Sequence, residues 1–359
     1  MDLRKEIKGS KAPFVIAGPC SAETPDQVIE ACTEIAKDKR VSILRAGIWK
    51  PRTRPNSFEG VGAIGLSWLV EAGKETGLPT TTEVANRQHV EAALNAGIDI
   101  LWIGARTTVN PFAVQEIVDS LNGAKVPVMI KNPVNPDVAL WMGAFERFQK
   151  SGITDLVALH RGFSSYGSRK YRNPPNWELP LEFRNQCPDI PMICDPSHIA
   201  GKRDLLLEVC QKAMDLNYDG LMVETHPTPD KAWSDVAQQI TPFGLKTLLD
   251  SLTLRSPQAN KSAQAELQAL RNKIELLDDR LFDLLSERMG IAEEVGALKG
   301  RNNITIFQQE HWAKMISQRL SKSEEYKLSA HFIRQAVESI HQESIRHQTS
   351  VMNPNLNKK

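Results

Sequence analysis

From residue 13 to about 250, short β-branched apolar runs alternate with longer stretches of helical periodicity. The runs fall at 13–18, 41–46, 79–84, 100–104, 127–131, 154–159, 191–195 and 219–224, and each reads as a strand. Between them, 60–76, 86–96, 111–121, 137–149, 203–217 and 230–250 carry helical spacing and are long enough for right-handed crossovers. About eight such repeats is the number that closes a parallel barrel. The pattern therefore predicts an α/β fold, a (β/α)8 TIM barrel over residues 1–252.

The pattern changes at 253–264, TLRSPQANKSAQ, which is polar, lacks periodicity and reads as a linker. An all-α domain is expected over 265–359. Residues 265–298 read as one long helix, with Leu267, Leu270, Ile274, Leu277, Leu281, Leu284, Ile291, Val295 and Leu298 at alternating spacings of three and four. Shorter helices follow near 308–320 and 328–348. Three helices make a thin core for a single chain, so the domain is expected to complete itself as a homodimer, with higher assembly left open.

Composition adds exclusions. The chain has 359 residues, 41% apolar and 24% charged, with a net charge of +1. That charge gives no general attraction to nucleic acid or an anionic membrane, so any basic cluster must be local. No signal-peptide pattern opens the sequence and no run reaches the roughly 18 apolar residues of a membrane span, so a cytoplasmic location is expected. The cysteines, Cys20, Cys32, Cys187, Cys194 and Cys210, form neither a disulfide framework nor a CxxC pair. Most read as buried filler and at least one as a ligand.

Barrel chemistry gathers where the strands end. Reading those ends in order gives Cys20, Arg45 with Lys50 and Arg52, Glu83, Arg106, Lys131, His160-Arg161, Asp195 with His198, and Glu224-Thr225-His226. Cys20, His198, Glu224 and Asp235 form a mixed soft and hard donor set suited to a divalent transition metal. Singly, a cysteine after a strand is more often filler, and a histidine or aspartate near a helix start more often a cap. Arg45, Lys50, Arg52, Arg106, Lys131 and Arg161 would repel one another unless anions lay between them, which implies a substrate rich in phosphate and carboxylate. The alternative is that these cations pair with Glu83, Asp137 and other surface acids.

GPCSAE at 18–23, RAGIWKPRTRPNSFEG at 45–60, IGAR at 103–106, Lys131, HRG at 160–162, DPSH at 195–198 and VETHPTPDKAWSD at 223–235 together resemble the type I-beta 3-deoxy-D-arabino-heptulosonate 7-phosphate (DAHP) synthases. The resemblance implies that Cys20, His198, Glu224 and Asp235 bind a divalent metal, manganese, iron, cobalt or zinc. It implies that Arg106, Lys131 and Arg161 hold the phosphate of phosphoenolpyruvate, and Arg45 and Lys50 its carboxylate end, with Lys50 also catalytic. Arg52 and Thr53 would bind erythrose 4-phosphate. The metal would act as a Lewis acid on the aldehyde oxygen while the enol carbon attacks, after which water adds and phosphate departs. The related octulosonate phosphate synthases carry Lys-Ala-Asn-Arg where this chain has Lys50-Pro51-Arg52-Thr53, which favours the four-carbon sugar.

In the long helix, Arg288 interrupts the apolar seam between Leu284 and Ile291. Lys299, eleven residues on, lies about 20° away and shares its face, whereas Arg271 lies about 100° off and would serve another pocket or another chain. In the last helix the row Phe332, Ala336, Ile340 continues through Ser344 and Gln348. Such stripes suit a bundle around a small polar ligand, or an arginine that fixes register.

The segment 269–288, Lys299, Ser344 and Gln348 resemble the all-helical, AroQ-type chorismate mutases. That implies chorismate held by Arg288, Lys299, Ser344 and Gln348, with Arg288, Lys299 and Gln348 catalytic and Arg271 supplied by a partner subunit. The chain departs from the family at Gln308 and Trp312, where acidic residues are usual. Two readings follow: a bifunctional enzyme producing DAHP and prephenate, or a synthase whose helical domain mainly dimerises and senses ligand. Because the barrel pattern begins almost at Met1, the tethered domain is also expected to let prephenate or chorismate inhibit the barrel.

Overall fold

The computed structural model describes the chain except residues 1, 11, 12, 51–56, 122, 168, 169, 257–260 and 355–359. It divides into two compact units, Met1–Pro257 and Gln258–Lys359.

In the first unit eight parallel strands close a barrel in chain order. They are β1 (Phe14–Gly18), β2 (Val41–Arg45), β3 (Thr80–Val84), β4 (Ile100–Ile103), β5 (Val128–Lys131), β6 (Leu156–His160), β7 (Met192–Cys194) and β8 (Gly220–Glu224). All eight lie at the apolar runs. Successive side chains on a strand point to opposite faces, so each strand feeds two cores. One set packs under the helices with Trp141, Phe145, Phe148 and Phe183. The other fills the barrel axis with Ile16, Ile43, Ile100, Trp102, Met129, Val157, Leu159, Ile193 and Met222.

The axis-facing positions change character toward the strands' C-terminal ends. Two residues beyond Ile43, Met129, Leu159, Ile193 and Met222 stand Arg45, Lys131, Arg161, Asp195 and Glu224, so the same alternation that fills the axis with hydrocarbon delivers charge to its mouth. The opposite end is closed by a helix that the sequence pattern does not predict, Leu3–Gly9, whose Leu3 and Ile7 join the axis core. Asp155 holds it there, accepting the Leu3 and Arg4 backbone N–H groups at 2.8 and 2.9 Å.

Several helical expectations need correction. Of 230–250, only Pro242–Asp250 is α-helical, preceded by a 3-10 turn at Pro229–Lys231. The intervening segment is irregular because Gln238 and Gln239 bond into the barrel and the Ile240 N–H bonds to the Glu224 carbonyl. Likewise, 203–217 is a 3-10 turn, Arg203–Leu205, followed by the helix Leu206–Asp215. Helices at Pro25–Ala36, Ala105–Thr108, Glu178–Gln186 and Pro196–Ala200 were not anticipated. The first carries a readable signal, a Thr24 cap followed by proline at the first helical position.

In the second unit the long helix runs Lys261–Arg301, beginning inside the expected 253–264 linker because Ser-Ala-Gln-Ala-Glu-Leu are tolerated or favoured in helices. Gln309–Leu320, Ser323–Tyr326 and Ala330–Met352 follow. Gly296 lets the long helix approach the last one closely: a Cβ there would lie 2.9 Å from Gln348 Cα. Leu267, Leu270, Ile274, Leu277, Leu281 and Leu284 are exposed on this chain. Among the described residues, no helix is long and apolar enough to cross a membrane.

His160, at the end of β6, faces away from the barrel mouth. Its Nε2 donates to the Pro175 carbonyl at 2.8 Å, so in the neutral ring Nδ1 accepts from the Tyr218 hydroxyl at 3.0 Å. Burial, aided by the charge of Arg161, pulls its pKa down to about 3. The unfolded chain, with an ordinary histidine near 6.5, binds more protons between those values, so stability rises with pH across that window, and is lost on acidification, by at most about 1.4 kcal/mol per unit. We expect His160→Leu, which leaves the tyrosine hydroxyl and proline carbonyl unpaired, to cost about 1–3 kcal/mol at pH 7.5 in urea unfolding. The gap from wild type should narrow at pH 5; a constant gap would mean that the folded protein tolerates a charged His160.

Candidate active sites

Gly18 makes the first contact at the barrel mouth possible. Its φ is +152°, and a Cβ there would lie 2.0 Å from the Arg45 carbonyl oxygen, so only glycine lets the ends of β1 and β2 close this tightly. The chain then turns so that the Cys20 carbonyl accepts from Arg45 Nη2 at 3.0 Å and from Lys50 Nζ at 2.9 Å. Lys50 Nζ also lies 3.0 Å from Cys20 Sγ, and that thiol lies 3.2 Å from Asp235 Oδ2. Burial pushes the Cys20 thiol up to about 12; Glu224 and Asp235 add to the shift, while Lys50 and Arg45 oppose it. Lys50 is raised: burial works against its charge, but Cys20, Glu224 and Asp235 outweigh it.

Glu224 is fully buried at the end of β8. Gln238 Nε2 donates to its Oε2 at 2.7 Å, while its Oε1 faces Arg45 Nη1 at 3.2 Å and His198 Nε2 at 3.7 Å. The arginine contact is an ion pair without hydrogen-bond alignment, so Oε1 is a buried carboxylate oxygen with no hydrogen bond among the described residues. Burial opposes the charge on Glu224, but His198, Arg45 and Lys50 hold the pKa below the ordinary value. Asp235 is likewise lowered, with His198, Lys50 and Arg172 outweighing burial. Arg172 Nη1 sits 2.8 Å from Asp235 Oδ1, and Asp235 itself adopts a left-handed backbone, φ +48°.

Asp195, beyond β7, is the hub of the second half. It caps the helix Pro196–Ala200 by accepting the His198 N–H, binds His198 Nδ1 at 2.8 Å and takes Lys131 Nζ at 2.8 Å. Burial opposes its charge, yet His198 and Lys131 hold its pKa well below the carboxylate range. His198 is thereby oriented with Nε2 toward Glu224, the carboxylate–histidine arrangement that fixes metal-binding imidazoles. Trp102 separates two cations, with Arg45 at 4.8 Å and Lys131 at 5.7 Å from its ring centre. Its Nε1 donates to Glu83 at 2.9 Å, and Gly104 leaves room for that carboxylate, since a Cβ there would lie 2.1 Å from Glu83 Oε1 and make the side chain shift.

Arg161 is buried, and burial with the repulsion of Arg172 and Arg106 lowers its pKa to about 10, against the pull of Asp195. It remains charged at neutral pH. Among the described residues, neither Arg161 nor the exposed Arg106 has a carboxylate within ion-pair distance.

The structure thus brings Cys20 to Asp235 and His198 to Glu224, around Lys50 and Arg45. Among the described residues, no group of three or more His, Cys, Asp or Glu side chains is drawn into a finished cation cage. The donor chemistry nevertheless fits a divalent metal: one thiol, one imidazole already held by a carboxylate, and a buried Glu224 oxygen lacking a hydrogen bond. Arg45 turns toward Glu224 and Cys20, and Lys131 toward Asp195, whereas the expected alternative partners were Glu83 and Asp137. Arg52 and Thr53 lie outside the described residues. Sequence reasoning missed Arg172, Gln238 and Gln239. Polar side chains a few positions beyond Asp235 were the available signal, and the expectation of a helix there hid it.

The helical unit holds its own cavity of about 440 Å3, lined by Arg288 and Lys299 from the long helix, Gln308 and Trp312, and Ser344 and Gln348 from the last helix. Arg288 donates to the Ser344 hydroxyl, Lys299 Nζ donates to the Ile306 carbonyl at 2.6 Å, and Gln348 Oε1 is buried without a hydrogen-bond partner among the described residues. Arg271 does not line it; seventeen residues of helix put it roughly 26 Å away along the axis.

Residues 2–256 match the family model of the DAHP synthetase I family, and residues 270–349 match that of chorismate mutase type II. A phospho-2-dehydro-3-deoxyheptonate aldolase of Thermotoga maritima is 32% identical over 226 residues, 63% of this chain and 64% of that relative, so the match spans less than two thirds of the relative's length. A 2-dehydro-3-deoxyphosphooctonate aldolase of Francisella tularensis is 25% identical over 69% of this chain and 92% of its own. The crystal structure of the Thermotoga maritima DAHP synthase superposes with a TM-score of 0.60 at 29% identity, covering 67% of this chain and 68% of the other. The barrel, its mouth and the match over residues 2–256 agree, and the chain belongs to the DAHP synthetase I family.

Proposed function

We propose that the barrel condenses phosphoenolpyruvate with D-erythrose 4-phosphate to DAHP and phosphate, and that the helical unit rearranges chorismate to prephenate. The observation that carries the first reading is the pair Arg106 and Arg161, guanidinium groups without ion-pair partners among the described residues, beside a layer of paired cations and four potential metal donors. Such a surplus of positive charge calls for a phosphorylated, carboxylated substrate.

A divalent metal held by Cys20, His198, Glu224 and Asp235 would supply Lewis acidity to the aldehyde oxygen. Arg106, Lys131 and Arg161 bind the phosphate of phosphoenolpyruvate, and Lys50 with Arg45 faces its carboxylate. C3 of the enol gives its electron pair to the aldehyde carbon, and Lys50 donates a proton to the resulting oxygen. A water oxygen then bonds to C2, returning one of its protons to Lys50, and the bond from C2 to the phosphate oxygen breaks as the second proton leaves with the phosphate and C2 becomes the ketone carbon. The three cations receive the charge of the departing phosphate. Arg45, gripped by Glu224 and the Cys20 carbonyl, also keeps those two donors in register. The four-carbon sugar rests on the Lys50-Pro51-Arg52-Thr53 segment, with Arg52 and Thr53 as its binding residues.

For the helical unit we assign Arg288, Lys299, Ser344 and Gln348 to chorismate, with Lys299 and Gln348 at the breaking ether bond. No nucleophile is needed. The exposed leucine row on the long helix supports a homodimer in which Arg271 of one copy completes the cavity of the other. Gln308 and Trp312 line this cavity and, among the described residues, no carboxylate does, which favours a second reading, a binding and dimerising module with little turnover. Prephenate bound there would inhibit the barrel if its affinity differed between two states of the whole protein.

Cys20→Ala, and separately exhaustive chelation, should each lower phosphoenolpyruvate consumption at least about 10³-fold with the fold intact by circular dichroism; retained activity would remove the metal from the scheme. Arg161→Ala should reduce kcat/KM for phosphoenolpyruvate about 10–100-fold, as expected for a lost charged hydrogen bond of about 1.5–3 kcal/mol. In a chorismate-disappearance assay, turnover by wild type that falls roughly 100-fold or more in Arg288→Ala supports catalysis. No wild-type turnover above background would leave the binding-module reading. Saturating prephenate should slow condensation; an unchanged rate would refute the inhibitory coupling.

A further inference from the structure

The cavity of the helical unit collects cationic and titratable side chains from every helix that encloses it. Arg288 and Lys299 come from Lys261–Arg301, His311 from Gln309–Leu320 and His341 from Ala330–Met352. The remaining polar lining, Gln308, Ser344 and Gln348, is uncharged, and among the described residues no carboxylate lines the cavity. His341 is built into this group. Its ring packs on Trp312 with centroids 4.1 Å apart and meets the Phe307 ring edge-on at 5.9 Å. These contacts fix the imidazole plane while, among the described residues, neither ring nitrogen has a hydrogen-bond partner in the protein.

Burial and the charges of Arg288, Lys299 and His311 all act on His341 in one direction, holding it below the ordinary histidine range and neutral at neutral pH. No acidic group opposes them. That balance belongs to the empty cavity, because an anion placed among the four groups favours the imidazolium instead.

We propose that His341 contacts the dicarboxylate bound in this cavity and is the group through which the site takes up a proton on binding. The inference rests on the assignment of the cavity to chorismate and prephenate. In the free cavity a neutral His341 avoids a third positive charge beside Arg288 and Lys299. With a dicarboxylate present it becomes a charged donor, so the site selects doubly anionic ligands and binds them more tightly as pH falls. This gives the position a role that an apolar residue could not fill, and it explains how a cavity without carboxylates limits its own repulsion.

The test is calorimetric titration of the full chain with prephenate from pH 6.5 to 8.5, in two buffers of unlike ionisation enthalpy. Both prephenate carboxylates are ionised throughout this range, so a pH slope reports the protein. Wild type should absorb protons on binding, and its Kd should fall several-fold, at most about tenfold, per unit decrease in pH over the titrating range. His341→Phe, which preserves the stack on Trp312, should bind without that uptake and with a flat Kd. His341→Gln gives the same reading if the phenylalanine variant does not fold, as judged by circular dichroism. If both folded variants keep the wild-type uptake, or if His311→Gln alone removes it, His341 is not the linked group and the proposal falls. Prephenate bound equally well by Arg288→Ala would instead overturn the assignment of the cavity itself.

Discussion

The buried contact between Arg45 and Glu224 sets the terms for the barrel mouth. Both side chains are almost wholly out of water, at 1% and 0% exposure, so each needs the other: removing one partner of such a pair typically costs about 3–5 kcal/mol. Their desolvation is repaid only in part by other contacts. Arg45 reaches the Cys20 carbonyl through Nη2 and the face of Trp102, while its Nε and Nη1 have no hydrogen-bond partner among the described residues, and Glu224 takes Gln238. The contact leaves one Glu224 oxygen without a hydrogen bond and turned toward His198. A geometry that would be a defect in a purely structural core is what a cation-binding carboxylate requires.

Lys131 and Asp195 repeat the device across the axis. Asp195 is held ionised by Lys131 and His198, and in return fixes which nitrogen of His198 faces Glu224. Paired charges thus position the donors, while Arg106 and Arg161 keep their charge without a carboxylate partner among the described residues. Pairing therefore grades the cations: Arg45 and Lys131 are positioned by buried carboxylates, whereas Arg106 and Arg161 present uncompensated charge among the described residues. It could not be inferred from residue types, because all are lysines or arginines at strand ends.

The barrel was legible because alternating burial leaves a strong mark: every apolar run became a strand, and Arg45, Lys131, Arg161, Asp195 and Glu224 fell at the mouth. What was hidden depends on long-range contacts. The helix Leu3–Gly9 is too short to carry a period, and it is held by Asp155, which is distant in sequence. The loop around Asp235 has enough periodicity to read as a helix, but its glutamines satisfy buried backbone and carboxylate groups from β1 and β8, and that demand outweighs local propensity. His160 looked like a functional strand-end group. An extra residue along the strand reverses the facing of a side chain, and His160 lies one position from Arg161 on the outward face.

The helical unit applies the same physics with the opposite bias. The barrel mouth places carboxylates among its cations and keeps much of its charge paired, whereas the helical cavity has no carboxylate among the described residues and must restrain repulsion otherwise. Ser344 accepts from Arg288, and the Ile306 carbonyl accepts from Lys299, so neutral oxygens hold both cations in place without cancelling their charge. A carboxylate in either position would hold the cation more strongly and weaken its attraction for an anionic ligand. Neutral tethers therefore leave the charge of both cations uncompensated. Trp312 lines the same cavity and packs on His341, so apolar surface rather than an opposing charge borders these groups.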